Sequence, residues 1–194
     1  MNKDRLTAFS DGVIAIIITI MVLELRPPSG TNWPALISTL PTFLSYVLSF
    51  TYVAIYWNNH HHMLHTVRRV NGLILWANMH LLFWLSLTPF ATAWLGGNYR
   101  APVPAAVYGM LLLLSAIAYY FLQVAILRSE GPDSALATAV GHDIKGKISC
   151  VLYAGAIALA FVDAAISDAL YACVALIWFI PDRRIERQFA RRPS

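Results

Sequence analysis

Hydrophobic positions in this 194-residue chain fall into long, nearly unbroken runs rather than alternating with polar ones. Breakers separate the runs. Arg26-Pro27-Pro28 closes the first, Gly96-Gly97-Asn98 the third, and Pro102 and Pro104 open the fourth. Glu130-Gly131-Pro132-Asp133 begins a longer polar connection. About 20 apolar residues cross the hydrocarbon core of a bilayer as a helix. The pattern therefore predicts an all-α integral membrane protein, with six spans near residues 8–26, 34–64, 71–96, 102–127, 145–163 and 165–181. Pro34 suits the first turn of the second span. VDAAISDAL (162–170) leaves little room for a loop between the last two.

Composition agrees. The chain is 58% hydrophobic and 12% charged, with a mean hydropathy of +0.60, whereas soluble domains hold about 25% charged residues. The first run is not expected to be a cleavable signal, because Glu24, Arg26 and two prolines follow it instead of a small-residue cleavage site. All 14 Lys and Arg residues except Arg26 and Arg100 fall on one side of the six-span map. That bias places both termini in the cytoplasm, as an even number of spans requires. The net charge of +4 is thus a topology signal and not a mark of nucleic-acid binding. Cys150 and Cys173 lie within apolar segments, as small packing residues would, and indicate neither a disulfide framework nor a metal site. The Arg-rich stretch RRIERQFARR (183–192) reads as an anchor to anionic headgroups.

Candidate chemistry concentrates in the first span, RLTAFSDGVIAIIITIMVLEL (5–25). At 100° per residue, Phe9, Gly12, Ile16, Thr19, Ile20 and Leu23 share one side, and Ser10 and Asp11 point to the other. Asp11 and Ser10 either cap the helix or join a network with neighbours, Arg5, Trp57, Asn59, His60 and His61 being the candidates. The stripe is either ordinary packing or, repeated about an axis, an apolar throat with a ring of hydroxyls. The second reading requires a cyclic oligomer. His61 and His65 stand at i and i+4, but no carboxylate or cysteine completes a metal shell, so a hydrogen-bonded cluster is expected. Its titration near pH 6.5 offers a route to pH sensitivity. His80 is expected as a neutral imidazole bonded to a neighbouring helix. Glu24 either draws cations to the outer mouth or pairs with Arg26, and Asp163 and Asp168 mark the outer surface.

The segment with Arg5, Phe9, Ser10 and Asp11 ahead of a long apolar helix resembles the first span of the transmembrane-protein-175 family, cation channels of bacteria and lysosomal membranes. YWNNHHHML (56–64) is similar to that family's Trp-x-Asn-His-His segment, and SLTPFATAWLG (86–96) to its Pro-Phe-containing third span. The resemblance implies a single six-span subunit over residues 1–194, of the bacterial kind, assembling as a homotetramer in the bacterial plasma membrane. It implies a potassium-permeable pore lined by four copies of the first span, with the constriction at Ile16, a hydroxyl layer at Thr19 and further apolar layers at Ile20 and Leu23. Arg5, Phe9, Ser10, Asp11, Trp57, Asn59, His60 and His61 carry over as a packing and gating network. Its partners are further copies of itself and membrane lipid, with potassium as the permeant species and no cofactor or metal. The chain has no Thr-Val-Gly-Tyr-Gly filter loop.

Three other functions compete. A secondary transporter or proton-coupled carrier tends to show internal repeats and midplane acids; no repeat is evident, and Asp11 is near a helix end. An intramembrane enzyme needs a nucleophile or a full metal shell beside the histidines. A non-conducting scaffold needs nothing further.

Overall fold

The computed structural model describes residues 2–140 and 143–179. Among them there is no strand. The helices are α1 (Lys3–Leu23), α2 (Trp33–Ser38), α3 (Leu40–His65), α4 (Gly72–Ser86), α5 (Thr88–Gly97), α6 (Pro102–Glu130), α7 (Ala135–Val140), α8 (Ile144–Leu159) and α9 (Ala164–Phe179). Four stretches are long and apolar enough to cross a membrane: α1, α3, the α4–α5 segment and α6. The apolar α9 is shorter.

The helix ends follow from local chemistry. α1 starts at Lys3, well ahead of residue 8, because the Asn2 side chain accepts the Asp4 amide at 3.1 Å. Ser10 and Asp11 therefore sit inside the helix and do not cap it. The expected second span divides at Thr39, with Pro41 in the first turn of α3, and the third divides at Leu87. There Pro89 lacks the amide a continuous helix needs and restricts Thr88 before it. α6 runs to Glu130 and stops at Gly131, whose φ of 87° is a conformation glycine adopts without penalty. The short link between α8 and α9 is closed by Asp163, whose Oδ1 accepts the Ala165 amide at 2.9 Å. The end of the sixth expected span and the 183–192 basic stretch lie outside the described residues.

Two apolar cores stack along the helices. The first joins α1, α3, α4 and α6 through Leu6, Ile14, Ile17, Leu64, Leu81 and Leu122. The second joins α3, α5, α6, α8 and α9 around Tyr52, Tyr108, Tyr153 and Tyr171. Three of these tyrosine hydroxyls are satisfied in place. Tyr52 donates to the Tyr171 carbonyl at 2.6 Å, Tyr171 donates to that of Ala105 at 3.0 Å, and Tyr108 pairs with Ser49 at 2.9 Å. A bilayer offers no water to take over such groups. α3 and α5 approach so closely that a Cβ on Gly96 would lie 2.8 Å from the Thr42 Cα. Asp168 is half-buried on α9, with one buried carboxylate oxygen lacking a hydrogen bond.

Candidate functional site

α1 has two unlike faces. Leu6, Ser10, Ile14, Ile17 and Met21 recur every three to four residues and are buried against the rest of the subunit. The opposite face, with Phe9, Gly12, Ile16, Thr19, Ile20 and Leu23, is exposed along its length. Ile16 is 58% exposed and Leu23 78%. The stripe expected from helical projection is thus a real surface of the folded subunit.

The buried face is held by a directional relay. The Asn78 side-chain oxygen can only accept, so His60 donates to it from Nε2, at 2.6 Å. Asn78 in turn donates from Nδ2 to the Ser10 hydroxyl at 3.0 Å, and Ser10 donates to the Leu6 carbonyl at 2.9 Å. His60, Asn78 and Ser10 are all fully buried, on α3, α4 and α1 respectively. The relay fixes the His60 tautomer and leaves its Nδ1 without a partner. Beside it, the Trp57 indole donates to Asp11 Oδ1 at 2.9 Å. This bond gives the intramembrane carboxylate its expected partner.

Not every expected member joins this cluster. Asn59 donates to the Ile55 carbonyl of its own helix at 2.9 Å. His61 stacks on Trp57, with ring centroids 5.7 Å apart, and also faces His65, with their Nε2 atoms 3.1 Å apart. Arg5 is exposed, and the only ion pair among the described residues is Arg68 with Glu130, at 3.8 Å. Glu24 and Arg26 accordingly form no pair. Lys3 reaches from the start of α1 to the His65 carbonyl at 2.8 Å, placing a cation at the carbonyl end of α3. No three His, Cys, Asp or Glu residues among those described converge as a metal site. His80 accepts from Trp84 of its own helix at 2.9 Å, not from a neighbour, and stacks on Phe121 of α6 with centroids 6.1 Å apart.

Asn78 was missed from the sequence. Its signal was present, because an amide in the middle of an apolar run is as unusual as the nearby His80. The two residues lie two positions apart, so they point to different sides of α4, and Asn78 is the one turned toward α1.

On the exposed face the only hydrogen-bonding side chain along the 16–23 stretch is Thr19. Its hydroxyl donates to the Ile16 carbonyl at 2.8 Å. The proton is thus turned back into the helix, and the oxygen lone pairs are left to an outside partner. Beyond it, Ile20 and Glu24 border an open groove against Phe90 and Trp94 of α5.

Four helical stretches long and apolar enough to cross a bilayer, packed through two apolar cores, define a multi-pass helical membrane protein. The family description "endosomal/lysosomal potassium channel TMEM175" matches residues 5–89, and the chain belongs to this family. A potassium channel of Chryseobacterium sp. (strain P1-3) is 56% identical over 187 residues, covering 96% of this chain and 97% of that one. A potassium channel of Streptomyces collinus is 31% identical, with both chains fully covered. The crystal structure of a lysosomal potassium-selective channel TMEM175 homolog from Chamaesiphon minutus resembles this fold with a TM-score of 0.81 at 29% identity, covering 92% of this chain and 96% of that one.

Proposed function

We propose that this protein is the subunit of a potassium-permeable cation channel, a homotetramer in which four copies of α1 surround the ion path. The observation that carries the reading is the exposed aliphatic face of α1. It runs the length of a membrane-spanning helix whose other face is fully packed. Ile16 forms the tightest apolar layer, Thr19 the hydroxyl layer next to it, and Ile20 and Leu23 the layers toward the outer mouth. An apolar ring gates by controlling whether water fills the throat, and a hydroxyl ring replaces part of an ion's hydration shell. The orientation of the Thr19 hydroxyl supports this, since a cation needs lone pairs and not a proton.

In this arrangement one chain makes six crossings, with α8 and α9 completing the count, and both termini face the cytoplasm of a bacterium, toward the basic loops. Ser10, Asp11, Trp57, His60 and Asn78 hold α1 in the orientation that presents its stripe, and Arg5 and Phe9 extend this network at the inner end. The competing reading is a proton-coupled carrier. Purified protein in potassium-loaded vesicles separates the two. A channel lets potassium run down its gradient faster than sodium, without saturation and without moving protons in step. Potassium flux that saturates and drives a matching pH change inside the vesicles would overturn the channel reading.

A further inference from the structure

Away from α1, the second core opens on one side into a cavity of about 310 Å³ between α3, α6 and α8. Ile55, Tyr56, Ala116, Tyr119 and Cys150 form its wall. Two polar side chains beside this wall, Asn59 and Ser149, have their hydrogen-bond partners within the protein. Asn59 is bonded to the Ile55 carbonyl, while Ser149 donates to the Lys145 carbonyl at 2.8 Å and accepts from Trp178 at 2.8 Å. An apolar cavity of about 150 Å³ already stays dry and takes up benzene. A carbon-walled space of twice that volume, left empty, forfeits dispersion contacts on every side.

Charged side chains enter the lining only at one lip, where Asp143, Gly146 and Lys147 stand at the start of α8. The Asp143 carboxylate is already engaged, because Oδ1 accepts the Gly146 amide at 3.1 Å. Lys147 is exposed, at the positive end of the α8 dipole. A carbon-lined chamber whose lip carries one exposed lysine, set among membrane helices, fits an amphiphile with an anionic head.

We propose that this cavity binds one acyl chain of an anionic phospholipid, whose phosphate pairs with Lys147 at the lip. The chain fills the space beside Ala116 and Cys150, and the headgroup remains at the lip.

Native mass spectrometry of the detergent-purified protein, with added phosphatidylglycerol or phosphatidylcholine of matched chains, tests both halves of the proposal. Phosphatidylglycerol is expected to be retained in preference to phosphatidylcholine. Lys147→Gln should reduce that preference about fivefold, one basic residue's share of the attraction. Ala116→Phe, which fills the chamber, should lower retention of both lipids. A second readout uses Cys150 in a Cys173→Ala background, since Cys173 is exposed. Phosphatidylglycerol should slow N-ethylmaleimide alkylation of Cys150 more than phosphatidylcholine does. Equal retention of the two lipids in the wild type and in Lys147→Gln overturns the headgroup assignment. If Ala116→Phe does not fold, the alkylation rate decides alone, and unprotected Cys150 overturns the site.

Discussion

Ile16 and Ile17 are chain neighbours with identical side chains and opposite fates. Ile17 is 3% exposed in the first core, and Ile16 is 58% exposed on the uncovered face. One helix thus carries two separable tasks, a hundred degrees apart. The packed face decides whether the subunit folds, and the bare face decides what it presents. In lipid the packed face gains little from hydrophobic transfer, because acyl chains are as apolar as leucine. Shape and hydrogen bonds must then hold it, and the His60–Asn78–Ser10 relay supplies the bonds.

Substitutions can break this division, and the largest effect is expected on the packed side. Ile17→Asn buries an amide with no partner and removes packing, at a cost on the order of 4 kcal/mol; the detergent melting temperature and the yield of folded protein should both fall sharply. Asn78→Leu strands the His60 donor and removes a bond to Ser10, costing on the order of 3 kcal/mol, again read by melting. Asp11→Ala removes one charge-assisted bond from Trp57, worth about 1.5 kcal/mol. It should lower the yield of assembled tetramer more than it alters selectivity, and the opposite pattern would put Asp11 in the ion path.

On the bare face stability should hardly move. Ile16→Asn keeps a throat wet and should raise conductance, or weaken discrimination of potassium from sodium, on the order of tenfold. Unchanged currents and selectivity in single-channel recordings would remove Ile16 from the constriction. Thr19→Val keeps the shape and deletes the hydroxyl. A few-fold loss of potassium preference is expected, with melting within about 0.5 kcal/mol of wild type.

The bare face was legible in the sequence because helical geometry is regular. Phe9, Gly12, Ile16, Thr19, Ile20 and Leu23 fell together by angle alone, and they are exposed together in the fold. What covers or lines a face is a different matter, since periodicity cannot tell a bare apolar stripe from a packed one. The relay was only half legible. Ser10 and His60 were expected as partners of a network, but Asn78 comes from a third helix, and helix-to-helix register is not written in any one segment. The breaks at Thr39 and Leu87 were missed because Pro41 and Pro89 were read through as parts of continuous runs. Both prolines sit in first turns, where they start a new helix.

The bare stripe has one further consequence, for how the proposed assembly is kept together. A face of isoleucine, leucine and a single inward-bonded hydroxyl is as comfortable against lipid tails as against its own kind. That face therefore gives a lone subunit no reason to leave lipid for a wetted conduit, so the contacts that join subunits must lie on other surfaces. The balance between solitary and joined forms should follow the protein-to-lipid ratio. Spreading the protein thinly through excess bilayer should dissolve the conduit while leaving every subunit folded.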